Sequence, residues 1–250
     1  MTPHTISIVD QYHENDKLQL VRWDTTQFDF RGLITQHLFD CTGCPASERL
    51  HEFIPRDKMP THAKSGTEHT YGHDLLYAID PAFRQAGYIE AKDVGFIRTY
   101  RDFIQHLQEN VFQEELVFQR LPSLRIQYSG FYTGTADKIM HRDRDFDHPA
   151  EEINIWVPIA TCHGTASMWI ESKYDLGDYA PVNIDYGSLL IFDSGLVHGS
   201  VLNTEGATRI SLDMRVIPKR IYTDSSSTFS ATAGREFKLG DYYDLIRNGG

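Results

Sequence analysis

The sequence predicts an α+β fold that is mainly β, formed by a single domain of 250 residues. Two observations support this. Helical patterns occur within the first 114 residues, whereas residues 115–220 are a succession of short β-rich runs separated by turn residues. No internal repeat or low-complexity linker divides the chain. The front half (1–114), the β core (115–220) and a C-terminal extension (221–250) are therefore expected to form one unit.

The front half is predicted to begin with short strands and a helix. Two apolar runs, at residues 5–9 and 18–23, are typical of short strands. The stretch 25–40 has the apolar spacing of a helix. Thr25 or Thr26 is the expected N-cap, because a hydroxyl accepts hydrogen bonds from the first backbone N–H groups of a helix.

A long loop and a second major helix are predicted to follow. Residues 55–75 contain proline, glycine, threonine and histidine without periodicity, which indicates a loop long enough to act as a lid. Asp80 and the proline after it are expected to begin a short helix. Residues 94–112 have the pattern of an amphipathic helix.

Seven β-rich runs then follow one another from residue 115. Their spacing suits an antiparallel barrel or sandwich, with the helices packed on one side. The runs are LVFQRL, LRIQYSGFY, EINIWVPI, ASMWIES, GSLLIFD, HGSVLN and TRISLDMRVIP.

Composition and charge argue against several classes of function. A formal net charge of −11 disfavours nucleic acid as a partner. No apolar run approaches the roughly 18–20 residues that span a bilayer, and the N-terminus lacks the pattern of an export signal. Three cysteines, an odd number, favour a reducing cytoplasm over a disulfide framework. The expected partner is a small-molecule substrate, and no feature of the sequence defines an oligomeric state.

The highly charged stretch HRDRDFDH contains a candidate metal site. His141 and Asp143 are two residues apart, which on an extended chain places both side chains on one face. His198, in a later β-rich run, is the best candidate for a third ligand. Two imidazoles and one carboxylate leave three octahedral positions open, the arrangement typical of non-haem Fe(II) oxygenases. These three residues are therefore the predicted catalytic metal ligands.

These motifs, in this order and followed by Arg209, resemble those of the iron(II)/2-oxoglutarate-dependent dioxygenases. The resemblance is to the phytanoyl-CoA dioxygenase-like branch, common among bacterial natural-product tailoring enzymes, and it covers residues 124–218. Its other matching elements are EINIWVPI, the G-x-L-x-I-F run at 187–192 and TRISLDMRV. It implies a double-stranded β-helix core (jelly roll, cupin-like) with Fe(II) at its mouth, and 2-oxoglutarate and O2 as co-substrates.

The resemblance also implies a binding site for 2-oxoglutarate. Arg209 would hold the distal carboxylate, because a guanidinium is a planar, two-pronged donor matched to that group. Arg215 lies six residues after Arg209, on the same face of the predicted strand, and is the alternative anchor. If Arg209 is the anchor, Arg215 is expected to face the substrate or to pair with Asp213. Three further co-substrate contacts are expected, at Ser211, Gln127 and Asn154.

Other residues near the motif are weaker substrate candidates. Trp156 is either a substrate contact or part of the barrel core. Asp145 and His148 belong to a charged loop expected over the mouth of the site, where they are surface residues or grip the substrate. His148 is not expected to bind metal with the glutamates at 151–152, because Pro149 interrupts the strand.

Two other motifs suggest metal sites, but each lacks residues that such a site needs. The aspartates at 143–147 suggest a calcium loop, but His148 stands where such a loop needs glycine, and Asn154 where it needs glutamate. The C-x-x-C at 41–44 lacks a second ligand pair for zinc, so ordinary thiols are expected there.

The predicted function is therefore an Fe(II)- and 2-oxoglutarate-dependent oxygenase that releases succinate and CO2. Its expected reaction is hydroxylation of a small polar metabolite, such as an amino acid, a peptide or an amino-sugar-like biosynthetic intermediate. Family members that halogenate replace the metal-binding carboxylate, which is retained here as Asp143. The alternatives are a cupin-like barrel that binds a sugar or effector without catalysis, and a metalloenzyme that uses no 2-oxoglutarate.

Overall fold

A computed structural model describes residues 18–54, 95–130, 140–224, 228–230 and 234–246. Within these ranges the chain is mainly β, with few helices and antiparallel sheets, which confirms the general fold prediction. The strand expected at 5–9, the loop at 55–75 and the helix at Asp80 lie outside the described residues. None of the described helices has the length and apolar character needed to cross a membrane.

The helices precede the β core. In the described ranges they are α1 (Phe30–Thr42), α2 (Leu50–Phe53) and α3 (Gly95–Leu107). A π-helical turn at Gln108–Phe112 continues α3. Short 3-10 turns occur at Ser47–Arg49, Asp143–Phe146 and Lys219–Ile221. The helix predicted at 94–112 is confirmed, except that its last turn widens into the π-helical form.

Short strands make up the rest of the described structure. They are β1 (Leu18–Arg22), β2 (Leu116–Gln119), β3 (Ser123–Gln127), β4 (Met140–His141), β5 (Ile153–Pro158), β6 (Met168–Ile170), β7 (Ala180–Pro181), β8 (Ser188–Asp193), β9 (His198–Ser200), β10 (Arg209–Pro218), β11 (Phe229–Ser230), β12 (Arg235–Glu236) and β13 (Tyr243–Leu245). Each of the seven predicted β-rich runs overlaps one of these strands, and the run at 18–23 contains β1.

Two sheets contain most of these strands. In the described part of the chain, the large sheet has the order β1-β8-β5-β10-β2-β13, with β3 also paired to β10. The small sheet has the order β4-β9-β6-β7. Because β13 pairs with β2, the C-terminal extension contributes a strand to the large sheet.

Strand β10 separates an apolar environment from a polar one. Its even-numbered residues from 210 to 216 join the core that contains Phe30 of α1 and Phe103 of α3. Successive side chains of a strand point to opposite faces, so its odd-numbered residues lie on the other side. These are Arg209, Ser211, Asp213 and Arg215. The helices therefore cover one face of the large sheet, and a polar row lies on the other.

A second apolar cluster joins the two sheets on that polar side. It combines side chains of the large sheet, including Trp156 and Phe192, with Met168 and Ile170 of the small sheet. Trp156 is almost fully buried there. Its side chain is therefore part of the apolar core between the two sheets.

Helix α1 begins later than predicted and has a different cap. Asp29 is the N-cap, and its Oδ1 accepts a hydrogen bond from the backbone N–H of Gly32 at 2.8 Å. Thr26 lies in a preceding turn, where its N–H and hydroxyl both donate to Oδ1 of Asp24, at 2.8 and 2.7 Å. The expected Thr25 or Thr26 cap is wrong because this local turn engages Thr26 before the helix starts.

We expect Asp29→Ala to lower the free energy of unfolding by about 1 kcal/mol, the usual effect of removing an N-cap side chain. Thr26→Ala should cost less than about 0.5 kcal/mol, because it removes only an exposed turn contact. Urea unfolding of both variants tests this. A larger loss of unfolding free energy for Thr26→Ala than for Asp29→Ala would indicate that Thr26 is the N-cap.

Candidate metal centre

The fold brings His141, Asp143 and His198 together. Strands β4 and β9 pair with His141 directly opposite His198. Asp143 follows at the start of a 3-10 turn, where its backbone N–H donates to the carbonyl of Ser194 at 3.2 Å. One possible ligand atom from each of the three residues lies within 4.8 Å of the others.

The spacing and hydrogen bonding of these residues suit one divalent ion. Oδ1 of Asp143 lies 3.8 Å from Nε2 of His141 and 3.6 Å from Nε2 of His198. Two ligands each about 2.1 Å from a shared ion can be at most about 4.2 Å apart. Nδ1 of His198 lies 2.9 Å from the carbonyl of Leu196, which can only accept. Nδ1 therefore carries the proton, and the lone pair of Nε2 is left for a metal.

The electrostatic surroundings favour the protonation states that bind metal. Burial, followed by repulsion from His198, lowers the pKa of His141 to about 4, although Asp143 opposes the shift. Burial would raise the pKa of Asp143, but Arg215 and the nearby histidines hold it below its usual range. A neutral imidazole and an ionised carboxylate are the forms that ligate first-row metals.

The two oxygens of Asp143 have different partners. Oδ2 accepts hydrogen bonds from Nδ2 of Asn154 at 2.9 Å and Nε of Arg215 at 3.0 Å, and it lies 2.9 Å from Nη2 of the same arginine. Oδ1 is the oxygen that faces the histidines. Asn154 and Arg215, which were expected to contact 2-oxoglutarate or substrate, both contact the candidate metal ligand.

Arg215 belongs to a buried network that the sequence did not predict. It does not pair with Asp213, which instead accepts a hydrogen bond from Arg125 at 2.9 Å. Its Nε lies 3.5 Å from Oε2 of the buried Glu152, and its Nη1 donates to Oε1 of Gln119 at 3.4 Å. Burial would lower the pKa of Arg215, but Asp143, Tyr242 and Glu152 raise it well above the usual value.

His148 lies behind the site rather than over its mouth. Its Nδ1 is 2.7 Å from Oε2 of Glu152, and its ring packs 4.6 Å from that of Phe237. A position at the mouth is therefore wrong for His148. Pro149 does lie outside the strand, which begins at Ile153, but the turn closed by the Glu152 N–H and the carbonyl of Pro149 at 3.2 Å brings His148 and Glu152 together.

A second group of ligand atoms is better explained as an ion-pair cluster. Asp143, His148 and Glu152 also lie within 4.8 Å of one another. Arg215 contacts both carboxylates of this group, at 2.9 and 3.5 Å. A guanidinium therefore supplies the positive charge that a metal would bring to these carboxylates.

The polar row of β10 continues away from the metal ligands. Arg209 lies opposite Gln127 of β3, and burial lowers the pKa of its guanidinium. Nε2 of Gln127 donates to the carbonyl of Val201 at 2.6 Å. Among the described residues, Oε1 of Gln127 and Oγ of Ser211 are buried without a hydrogen-bond partner. Such atoms are rare in folded proteins and mark places where a ligand or water is expected.

A cavity of about 330 Å³ borders His141 and includes Asp145. Asp145 is exposed, as expected for a residue near a site entrance. Much of the remaining lining comes from the segment 171–179, which the sequence analysis did not single out. An ion pair between Arg142 and Asp175 ties this segment to the metal-ligand strand.

The two cysteines whose side chains are described, Cys44 and Cys162, are both free and buried. Burial raises the pKa of Cys162 to about 12, although Arg209 and Arg31 oppose the shift. Cys162 is therefore protonated at neutral pH and unsuited to metal binding.

Comparison with curated proteins establishes the family. No protein-family model matches the chain. The streptomycin biosynthesis protein StrG of Streptomyces griseus is 32% identical over 233 residues, covering 92% of this chain and 99% of the relative. The chain belongs to the StrG family. Because this match spans nearly all of both sequences, the StrG relationship includes the front half and the C-terminal segment.

Solved structures similar to this StrG-family chain are more distant. They include the nickel complex of the non-haem monooxygenase ThoJ (14% identity, 86% of this chain and 84% of that chain, TM-score 0.44). AviO1 of Streptomyces viridochromogenes Tue57 is also similar (13% identity, 83% and 92%, TM-score 0.44), as is the non-haem α-ketoglutarate-dependent carbocyclase SnoK of nogalamycin biosynthesis (12%, 79% and 98%, TM-score 0.44). At this level of similarity they indicate no function for this chain.

We expect Arg215→Ala to lower the free energy of unfolding by about 3–5 kcal/mol, because it leaves two buried carboxylates without their cation. Arg125→Ala is the matched control. Its ion pair with Asp213 is about a quarter exposed (28% and 26%), so its loss should cost about 1 kcal/mol or less. Equal losses in urea unfolding would contradict a special role for the Arg215 network.

Proposed function

We propose that the chain is an Fe(II)- and 2-oxoglutarate-dependent oxygenase that acts on a small-molecule substrate. The observation that carries this proposal is the convergence of His141, Asp143 and His198, with both Nε2 atoms near one carboxylate oxygen. Two imidazoles and a carboxylate on one side of an ion are the ligand set of non-haem Fe(II) oxygenases.

We assign the fold as a double-stranded β-helix of the jelly-roll, cupin-like type, within a single domain. The support is a pair of antiparallel sheets joined by an apolar cluster, with a polar row between them. In this assignment the candidate metal ligands come from the small sheet and the turn after it, while the co-substrate residues come from the large sheet.

Bound at these three residues, Fe(II) with 2-oxoglutarate and O2 would supply an oxidant able to break a C–H bond, with release of succinate and CO2. The chain's own contribution is to present two imidazole nitrogens and one oxygen of an ionised carboxylate, and to keep the remaining positions of the ion accessible. Burial of Asp143 and His198 also limits the access of water to the site.

Arg209 is the proposed anchor for the distal carboxylate of 2-oxoglutarate. Burial removes water from the Arg209 guanidinium and so destabilises its positive charge. A carboxylate bound to the guanidinium would replace the lost hydration with charge-assisted hydrogen bonds. Arg215 is the poorer choice because Asp143, Glu152 and Gln119 already engage it. Ser211 would add a hydroxyl donor from the same strand face.

Gln127 is assigned a supporting role beside Arg209. One of its two amide protons is donated to the carbonyl of Val201, and its Oε1 is buried without a hydrogen-bond partner among the described residues. An acceptor repels a carboxylate but suits a guanidinium or a hydroxyl. Through Oε1, Gln127 would orient Arg209 or Ser211, and its second amide proton is left for a contact with 2-oxoglutarate.

The proposed substrate is a small polar metabolite of an antibiotic pathway, such as an amino acid, a peptide or an amino-sugar-like intermediate. The support is membership of the family of StrG, a protein named for streptomycin biosynthesis. Hydroxylation is the proposed outcome. Halogenation is disfavoured because the Asp143 carboxylate occupies the position that a halide ion would need.

Anaerobic addition of Fe(II) and 2-oxoglutarate should produce the weak visible absorption band of an iron–keto-acid chelate. His141→Ala should abolish the band, because one of three ligands is lost. His163→Ala is the matched control, since that side chain is 57% exposed and lies beside Glu205.

Absence of the band in the wild-type protein would contradict the proposal. A Co(II) titration then separates the alternatives. Tight Co(II) binding without a keto-acid band would indicate a metalloenzyme that uses no 2-oxoglutarate. No metal binding at all would favour a barrel that binds its ligand without catalysis.

Arg209→Ala should weaken 2-oxoglutarate binding by about 10–100-fold, because a charge-assisted hydrogen bond contributes about 1.5–3 kcal/mol. Fe(II) binding in the absence of 2-oxoglutarate should stay within about twofold of wild type. The charge control is Arg49→Ala, whose exposed guanidinium pairs with Glu52. Unchanged 2-oxoglutarate affinity in Arg209→Ala would move the anchor to another residue.

A further inference from the structure

The C-terminal segment, residues 234–246, packs directly behind the candidate metal ligands. Tyr243 of β13 lies opposite Gln119 of β2 in the large sheet. Phe237, Tyr242 and Tyr243 are all buried and form an apolar cluster with Val117 and Ile217. The segment therefore belongs to the body of the protein, although it lies outside the stretch that carries the metal-ligand motif.

A continuous series of polar contacts runs from this segment to Asp143. The hydroxyl of Tyr243 donates to Oε1 of Glu152. Oε2 of Glu152 lies 3.5 Å from Nε of Arg215. Oδ2 of Asp143 lies 2.9 Å from Nη2 of Arg215 and accepts a hydrogen bond from its Nε at 3.0 Å. Each of these side chains is more than nine-tenths buried.

Burial makes each contact in this series depend on the next. Two carboxylates and one guanidinium share a space with little water, where an unpaired charge costs several kcal/mol. Glu152 has a second partner, because Nδ1 of His148 lies 2.7 Å from its Oε2, but Asp143 and Arg215 cannot separate without leaving a buried charge unpaired. The amide of Gln119 is also fixed, since it donates to the carbonyl of Leu121 at 2.6 Å while its oxygen accepts from Arg215.

These contacts determine how Asp143 faces an ion. Arg215 and Asn154 occupy Oδ2, so that oxygen is directed into the protein. Oδ1 remains on the side of His141 and His198. A carboxylate held in this way ligates through one oxygen, which leaves three octahedral positions for co-substrates.

We propose that the C-terminal segment positions Asp143 for metal binding through Glu152 and Arg215, and that Tyr243 is a positioning residue of the metal centre. The inference rests on the proposed function, because it requires a divalent ion at Asp143. It gives the C-terminal extension a specific role at the site. Groups behind a metal ligand typically contribute 10–100-fold to metal affinity.

The test uses the full chain, stripped of metal and titrated with Co(II), whose visible absorption reports binding directly. Glu152→Gln should weaken Co(II) binding by about 10–100-fold. Tyr243→Phe, which removes one hydroxyl and keeps the ring, should weaken it by about threefold to tenfold. Tyr222→Phe is the matched control, because that ring packs 5.8 Å from Tyr243 while its hydroxyl bonds to Asp224 instead.

Thermal unfolding of each apo-protein separates positioning from simple stabilisation. If Tyr243→Phe lowers Tm but binds Co(II) as tightly as wild type while folded, the hydroxyl only stabilises the fold and the inference is overturned. Co(II) binding by the wild type together with equal affinity in all variants overturns this inference alone. No Co(II) binding by the wild type overturns the metal centre, and the inference with it.

Discussion

The buried ion pair between Asp143 and Arg215 is the interaction on which the rest of the site depends. It joins the turn after β4, which contains Asp143, to β10 in the large sheet. The position of the two histidines of the small sheet is thereby fixed relative to the polar residues of β10. A pair this buried is tolerable only because Asn154, Glu152 and Gln119 satisfy the remaining polar atoms. Those partners also direct the other carboxylate oxygen towards the histidines.

Strand β10 shows how one element serves both stability and function. Its residues 209–216 alternate between an apolar face that packs beneath the helices and a polar face between the sheets. Arg215 lies at the metal end of the polar face, and Arg209 lies six residues earlier on the same face. The proposed anchor for 2-oxoglutarate and the group that orients a metal ligand therefore belong to one rigid strand. Rigid elements hold such groups more accurately than loops do.

Much of this arrangement could be predicted from the sequence because it depends on local pattern. Short β-rich runs separated by turn residues located β5, β8 and β10, and apolar spacing located α3. The H-x-D motif placed two ligand types on one face of an extended segment. Glu152 and Tyr243 could not be predicted in the same way, because they are 91 residues apart and meet only once β13 has joined the large sheet. His148 was misplaced for a related reason, since charge near a motif does not show whether a turn folds outward or beneath the site.

A crystal structure of the chain with Mn(II) and 2-oxoglutarate would test the central claim most directly. We expect one anomalous scattering peak about 2.0–2.2 Å from Nε2 of His141, Nε2 of His198 and a single oxygen of Asp143. We also expect the distal carboxylate of 2-oxoglutarate to point to Arg209. An ion among Asp143, His148 and Glu152, or one bound by both oxygens of Asp143, would contradict the account.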